Sequence, residues 1–147
     1  MKNRATEHQE QATLFSWAEF HTHRWPELAL MFAIPNGGKR NKITAAMLKA
    51  EGVKPGVPDI CLPVTRPPWS GLYIEMKTGT GRLSSTQRSW LLALIAQGYR
   101  AEVCRGWQEA QQVIVEYLGG DEGEPLMDTV PSPHMLPGHT AQQAVLH

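Results

Sequence analysis

Between residues 5 and 22 the chain has neither Pro nor Gly, and Leu14, Trp17 and Ala18 fall at i, i+3 and i+4, the spacing that lines up apolar side chains on one helix face. Glu7, Glu10 and Glu19 lie nearby in sequence, and His21, the next position on the stripe, is polar, which predicts that the helix ends there. Leu28 to Ile34 is a short apolar run closed by Pro35-Asn36-Gly37-Gly38, and it reads as a strand followed by a sharp turn whose glycines accept positive φ. Lys42 to Glu51 consists of good helix formers and stops at Gly52. Pro55-Gly56-Val57-Pro58 then imposes a rigid approach to a strand over Asp59 to Val64, in which Pro63 marks an edge or a bulge. After the loop Thr65-Arg66-Pro67-Pro68, Gly71 to Lys77 reads as the next strand. Ser84 and Gln87 have capping-box spacing, and Trp90, Leu91, Leu94 and Ile95 follow at helical intervals until Gly98. Tyr99 to Cys104 alternates like a strand, and Trp107 to Leu118 forms a last helix. Helices interleaved with strands predict an α/β fold with a mixed sheet flanked by helices.

From Gly119 onward the periodicity gives way to Gly, Pro, Ser and His, as in Gly119-Gly120-Asp121-Glu122-Gly123 and Pro131-Ser132-Pro133. Such a segment buries too little apolar surface to offset its ordering entropy. The expected organisation is one domain over residues 1–118 and a disordered tail over 119–147.

Composition changes this picture in three places. No apolar run approaches the roughly 20 residues that span a bilayer, and Met1-Lys2-Asn3-Arg4 leads into polar residues and not a signal-type stretch, so the expected location is the cytoplasm, with no membrane partner. Cys61 and Cys104 are too few for a disulfide framework or a four-thiolate zinc site, and their apolar surroundings predict buried thiols. The net charge of +0 argues against nucleic acid until it is divided: residues 1–118 hold all 14 Lys and Arg against ten acids, a surplus of +4, and residues 119–147 hold four acids and no base. The domain is mildly basic and its tail acidic.

The chemistry is concentrated in Gly56-Val57-Pro58-Asp59 and Glu75-Met76-Lys77. On a strand, Glu75 and Lys77 project from one side and Met76 from the other. If the strands opened by Asp59 and closed by Lys77 pair, the two carboxylates come together. Like charges at that range are relieved by a shared proton or a bound cation, and hard oxygen ligands favour Mg²⁺ or Mn²⁺ over zinc. An ion of that kind polarises a phosphodiester and lowers the pKa of a coordinated water, while Lys77 can orient that water and stabilise charge building on the phosphate. The same charges also admit a surface ion pair.

With Pro58-Asp59 and Glu75-x-Lys77, the sequence resembles the PD-(D/E)xK nuclease superfamily. More narrowly it resembles the VRR-Nuc (virus-type replication-repair nuclease) family of phage and prophage single-domain type. That family's helix glutamate, Gly-x-Pro-Asp strand, Glu-x-Lys strand and glutamine-bearing helix have counterparts in Glu10, Gly56-Val57-Pro58-Asp59, Glu75-Met76-Lys77 and Gln87. The resemblance extends over residues 7 to about 118. It implies a restriction-endonuclease-like core and a Mg²⁺- or Mn²⁺-dependent DNA endonuclease with Asp59, Glu75 and Glu10 as metal ligands. It also implies catalytic parts for Asp59, Glu75, Lys77 and Gln87, and a homodimer acting on branched DNA such as four-way junctions or flaps in phage replication, recombination or repair. Glu7 lies nearly one turn before Glu10 and competes with it for the ligand position, Glu10 being preferred. A non-catalytic DNA-binding module on the same fold is the alternative, although a module that binds no metal gains nothing from holding two like charges together.

The remaining candidates each carry two readings. Gln87 is either the capping partner of Ser84 or an active-site contact, and both hold if the helix start borders the site. Asn36, Lys39, Arg40 and Lys42 surround a glycine turn, where exposed backbone N–H groups beside cations suit DNA phosphates. Arg82 and Arg88 flank the candidate site and are either backbone grips or solvated charges. His21 and His23 have no third partner, which argues against a metal. Trp17, Trp90 and Trp107 occupy core-like positions, whereas Trp69, in a Pro-rich loop, is the better candidate for stacking on an unpaired base.

Overall fold

The computed structural model describes residues 5–35 and 42–120. The first helix, α1 (Glu7–Phe20), starts at a capping box in which the Thr6 hydroxyl accepts from the Gln9 N–H and the Gln9 side chain accepts from the Thr6 N–H. Its stripe Leu14, Trp17 and Ala18 is buried, and His21 is the C-cap.

The run Leu28 to Ile34 departs from the expected strand. A 3₁₀ turn occupies Pro26–Leu30, and only Phe32–Ala33 are extended, as β1. Pro26 explains the difference: its fixed φ and missing N–H suit the first position of a helical turn. The turn buries Leu28 in the core and leaves only two residues for the sheet.

Helix α2 (Lys42–Ala50) buries none of its side chains. Strand β2 is confined to Ile60–Leu62, shorter than the expected Asp59 to Val64, because Pro63 has no N–H to continue the ladder. It is followed by β3 (Leu72–Lys77), α3 (Ser85–Ala96), β4 (Arg100–Arg105) and α4 (Trp107–Leu118). The sheet order is β1-β2-β3-β4, with β1 antiparallel to β2, β2 antiparallel to β3 and β3 parallel to β4. The sheet is therefore mixed, and α3 makes the crossover between the two parallel strands.

Alternation along β3 divides the molecule into layers. Leu72, Ile74 and Met76 point into a core shared with Leu14, Trp17 and Ala18 of α1 and with Ala110, Ile114 and Leu118 of α4. Tyr73, Glu75 and Lys77 point the other way, toward α3. Burying Ile114 and its neighbours on one α4 face accounts for that helix's strong amphipathic pattern. On α3 only Leu91 is buried, while Leu92 and Ile95 are exposed. Trp90, expected in the core, is half-buried and donates its indole N–H to the carbonyl of Pro55 at 3.1 Å. Cys61 and Cys104 are buried free thiols.

Candidate active site

The antiparallel register of β2 and β3 pairs Ile60 with Ile74, so one step further Asp59 lies beside Glu75. Asp59 closes the end of the ladder itself, because its Oδ2 accepts the Met76 backbone N–H at 2.7 Å. The loop that delivers Asp59 is fixed by Gly56, whose φ of +86° is costly for other residues. A Cβ at Gly56 would stand 2.6 Å from Cγ2 of Thr86 and 3.0 Å from the backbone nitrogen of Gln87. The absence of that one carbon lets the loop rest on the first turn of α3, and the Trp90–Pro55 hydrogen bond holds it there.

Glu75 is 2% exposed and Lys77 9%, the two charged residues among the buried described ones. Lys77 Nζ stands 3.7 Å from Glu75 Oε1, which also accepts from Nε2 of Gln87 at 2.8 Å. Gln87 thus makes both contacts that its position allowed: its Oε1 accepts from the Ser84 backbone N–H while its amide nitrogen reaches Glu75. Glu75 Oε2 is buried and has no hydrogen-bond partner. Burial, and secondarily the Asp59 carboxylate, pushes the Glu75 pKa up to about 8, against a smaller opposing pull from Lys77. Asp59 is also raised, by burial first, although the Met76 N–H favours its ionised form. Two carboxyls close enough to share a proton, one with an unpartnered oxygen, have the donor chemistry that a hard divalent cation satisfies.

The two glutamates of α1 divide differently from the expectation. Glu10 Oε2 accepts the backbone N–H of Trp107 at 2.8 Å. It thereby supplies the cap that α4 lacks, since Gly106 at the N-cap has no side chain. Glu7 is the α1 acid that lines the cleft with Asp59 and Glu75, and its charge raises the pKa of both. Its Oε1 and the Lys77 side chain both border Gly81, at 3.9 and 3.6 Å from where a Cβ would be. Among the described residues no three His, Cys, Asp or Glu side chains converge as a ready metal cage. The site is a close carboxyl pair with a third acid at its rim.

Of the expected DNA contacts, Asn36, Lys39 and Arg40 lie outside the described residues. Lys42 is exposed at the start of α2, and Arg82 and Arg88 are exposed around the start of α3. Trp69 lies before the start of β3, at the end away from Lys77, with the Arg100 guanidinium 5.4 Å from its ring centre and Tyr117 packed beside it. Trp69, the better candidate for stacking on a base, is thus partly engaged by these two side chains while still exposed. Trp17 is buried against Trp25, and the Nδ1 atoms of His21 and His23 lie against the backbone carbonyls of Trp17 and Phe20.

Sequence reasoning passed over two further features. Arg105 donates to the carbonyls of Gly79 and Gly81 at 3.1 and 2.7 Å, fixing the loop that follows Lys77. Lys49 and Lys54 border the cleft from the α2 side. The 3- and 4-residue spacing of Ala45, Leu48 and Lys49 was visible in the sequence, but nothing in it said that this face looks onto the carboxylates.

A mixed sheet that brings a half-buried Asp59 beside buried Glu75 and Lys77 at the ends of two adjoining strands defines an α/β domain with a nuclease-like core. The family model of the VRR-NUC domain matches residues 2–108, and the chain belongs to that family. A solved structure described as a VRR_NUC domain protein is similar over 81% of this chain and 94% of its own, at 27% identity and a TM-score of 0.64. No curated protein matches the chain. The domain is accordingly of nuclease type.

Proposed function

We propose that this chain is a Mg²⁺- or Mn²⁺-dependent DNA endonuclease that hydrolyses phosphodiester bonds at the Asp59-Glu75-Lys77 cluster. The observation that carries the reading is Glu75: a carboxylate buried beside a second one, with one oxygen unpartnered, is costly unless it has a task. Asp59 and Glu75 would hold the ion, and Glu7 replaces Glu10 as the acid from α1, because Glu10 is engaged at the start of α4. When bound, the ion supplies Lewis acidity toward the scissile phosphate and acidifies a coordinated water.

The protein's own groups do the rest. Gln87 holds Oε1 of Glu75 in place, and the Met76 N–H orients Asp59 and favours its ionised form. Lys77, on the same face as Glu75, orients the attacking water and stabilises the negative charge gathering on the phosphate oxygens. Arg105 ties down the loop behind Lys77, and Lys77 itself is held beside Glu75 Oε1. Lys42, Arg82 and Arg88 are exposed cations within reach of a backbone lying over the cleft, and Asn36, Lys39 and Arg40 join them in this reading.

The substrate is branched DNA, such as a four-way junction or a flap, processed for phage replication, recombination or repair in the host cytoplasm. A homodimer would present two sites to two strands, and the exposed Leu92 and Ile95 of α3 offer apolar area for it. A dimeric mass by light scattering that becomes monomeric in Leu92→Glu is expected, and a wild-type monomer that still cuts junctions would remove the dimer from the mechanism.

The test incubates wild type and Lys77→Ala with labelled single-stranded, duplex, flap and four-way-junction DNA, in Mg²⁺, Mn²⁺ or chelator. Cleavage by wild type alone, only with metal and strongest on branched DNA, is expected. An active Lys77→Ala protein would sink the mechanism, and DNA binding without cleavage under any condition would make the chain a non-catalytic module.

A further inference from the structure

The cleft holds more room than two carboxylates and an ion require. Its volume is about 740 Å³, within the roughly 300–1,000 Å³ typical of sites that enclose a small organic group. One side is polar, with Asp59, Glu75 and Gln87; the facing side is apolar, with Leu48 and Ala45 from α2 and Val53 and Pro55 beyond its end. Lys49 and Lys54 border the same side, exposed and in no ion pair among the described residues. No side chain of helix α2 is fully buried or belongs to the core, Leu48 being half-buried and Ala45 exposed, so its apolar positions on this face are not accounted for by the core.

We infer that the α2 wall of this cleft is a binding site for one unpaired nucleobase adjoining the scissile phosphate. The inference rests on the nuclease reading of the same site and names what that site selects. Three features of the cleft match three parts of a nucleotide strand. The carboxyl pair marks where the reacting phosphate lies. The apolar wall accepts the flat face of a base, and Lys49 and Lys54 meet the phosphates of the strand leaving the cleft. A base within a duplex has both faces covered by its neighbours and its edge engaged by its partner, so it cannot lie on this wall without leaving the stack. An unpaired base at a flap or a junction has already met that cost. Selection for branched DNA then arises next to the reacting bond, with no separate element for reading base sequence.

The probe is a fluorescein-labelled single strand, its full duplex, and the same single strand with abasic sugars replacing its central bases. Polarisation titrations in Mn²⁺ use the full chain in the Lys77→Ala background, so that the DNA stays intact, with and without Leu48→Glu or Val53→Glu. Because α2 is not packed into the core, circular dichroism should show both wall variants folded. The single strand is expected to bind about tenfold more tightly than the duplex or the abasic strand, and Leu48→Glu to reduce that preference to near unity. Equal binding of abasic and base-bearing strands, or a preference untouched by both wall variants, would overturn the inference. Cleavage by proteins retaining Lys77 is scored in parallel. Base-dependent binding without any cleavage overturns the nuclease reading and keeps the base site, whereas metal-dependent cleavage without base-dependent binding does the reverse.

Discussion

Replacing Glu75 by Gln should make the metal-free protein more stable at pH 8. The folded state holds the Glu75 pKa at about 8 against an ordinary value of 4.5, chiefly through burial and then through Asp59. A carboxyl whose folded pKa is raised binds its proton more tightly when folded. It therefore adds no penalty below the unfolded value, and stability falls as pH climbs from there to about 8. A shift of three to four units at about 1.4 kcal/mol each amounts to a penalty on the order of 4 kcal/mol once the group is forced to ionise. The amide of Glu75→Gln would mimic the protonated acid. Its carbonyl can accept from Gln87 as the Glu75 Oε1 does in wild type, and its NH₂ group can donate to Asp59 with no charge opposing. Urea or thermal unfolding in chelator at pH 5 and pH 8 reads this directly. Wild type should lose much of its stability between the two, and Glu75→Gln should hold nearly constant and melt roughly 10 °C higher at pH 8. Added Mn²⁺ should stabilise wild type and not the variant. A variant no more stable than wild type at pH 8 without metal would refute the argument that this carboxylate is held against its electrostatic preference.

The two α1 glutamates should separate cleanly. Glu7→Gln is expected to weaken Mn²⁺ binding about tenfold or more, with melting in chelator little changed. Glu10→Ala should cost about 1–2 kcal/mol of stability through the lost α4 cap while leaving Mn²⁺ affinity near wild type; calorimetric titration with melting curves measures both, and the opposite pattern restores Glu10 as the ligand. Gly56→Ala should cost about 2–4 kcal/mol, because a Cβ there meets the α3 backbone at a positive φ, and a melting point within a few degrees of wild type would count against that contact.

Much of the molecule was present in local pattern. The stripe Leu14, Trp17 and Ala18, the Ser84-Gln87 cap, the Gly98 stop and the alternation of β4 each follow from neighbours within one or two turns, and α/β architecture follows from their order. The pair Glu75 and Lys77 shares a strand face by geometry alone, and Pro58 announces where the partner strand begins. Pro26 changed the element whose type was misread: a proline before an apolar run favours a helical turn as much as it delays a strand. Other features needed chain segments far apart in sequence. Glu7 and Glu10 are nearly equivalent as letters, and what separates them is Gly106, almost a hundred residues away, which leaves the start of α4 without a cap that Glu10 then fills. Trp69 was the better stacking candidate in its loop, and the contacts that Arg100 and Tyr117 make with it from β4 and α4 come from residues 31 and 48 positions away. The apolar face of α2 becomes a wall only because the Pro55–Pro58 loop, held by Trp90 and cleared by Gly56, brings the carboxylates opposite it. Sequence by itself determined the elements, the strand face that bears the chemistry and the residue types available for it, because those rest on backbone period and local capping. Tertiary structure decided which α1 acid lines the cleft, what surrounds Trp69 and which residues form the wall opposite the carboxylates, because desolvation and competition for hydrogen-bond partners depend on groups that only folding brings together.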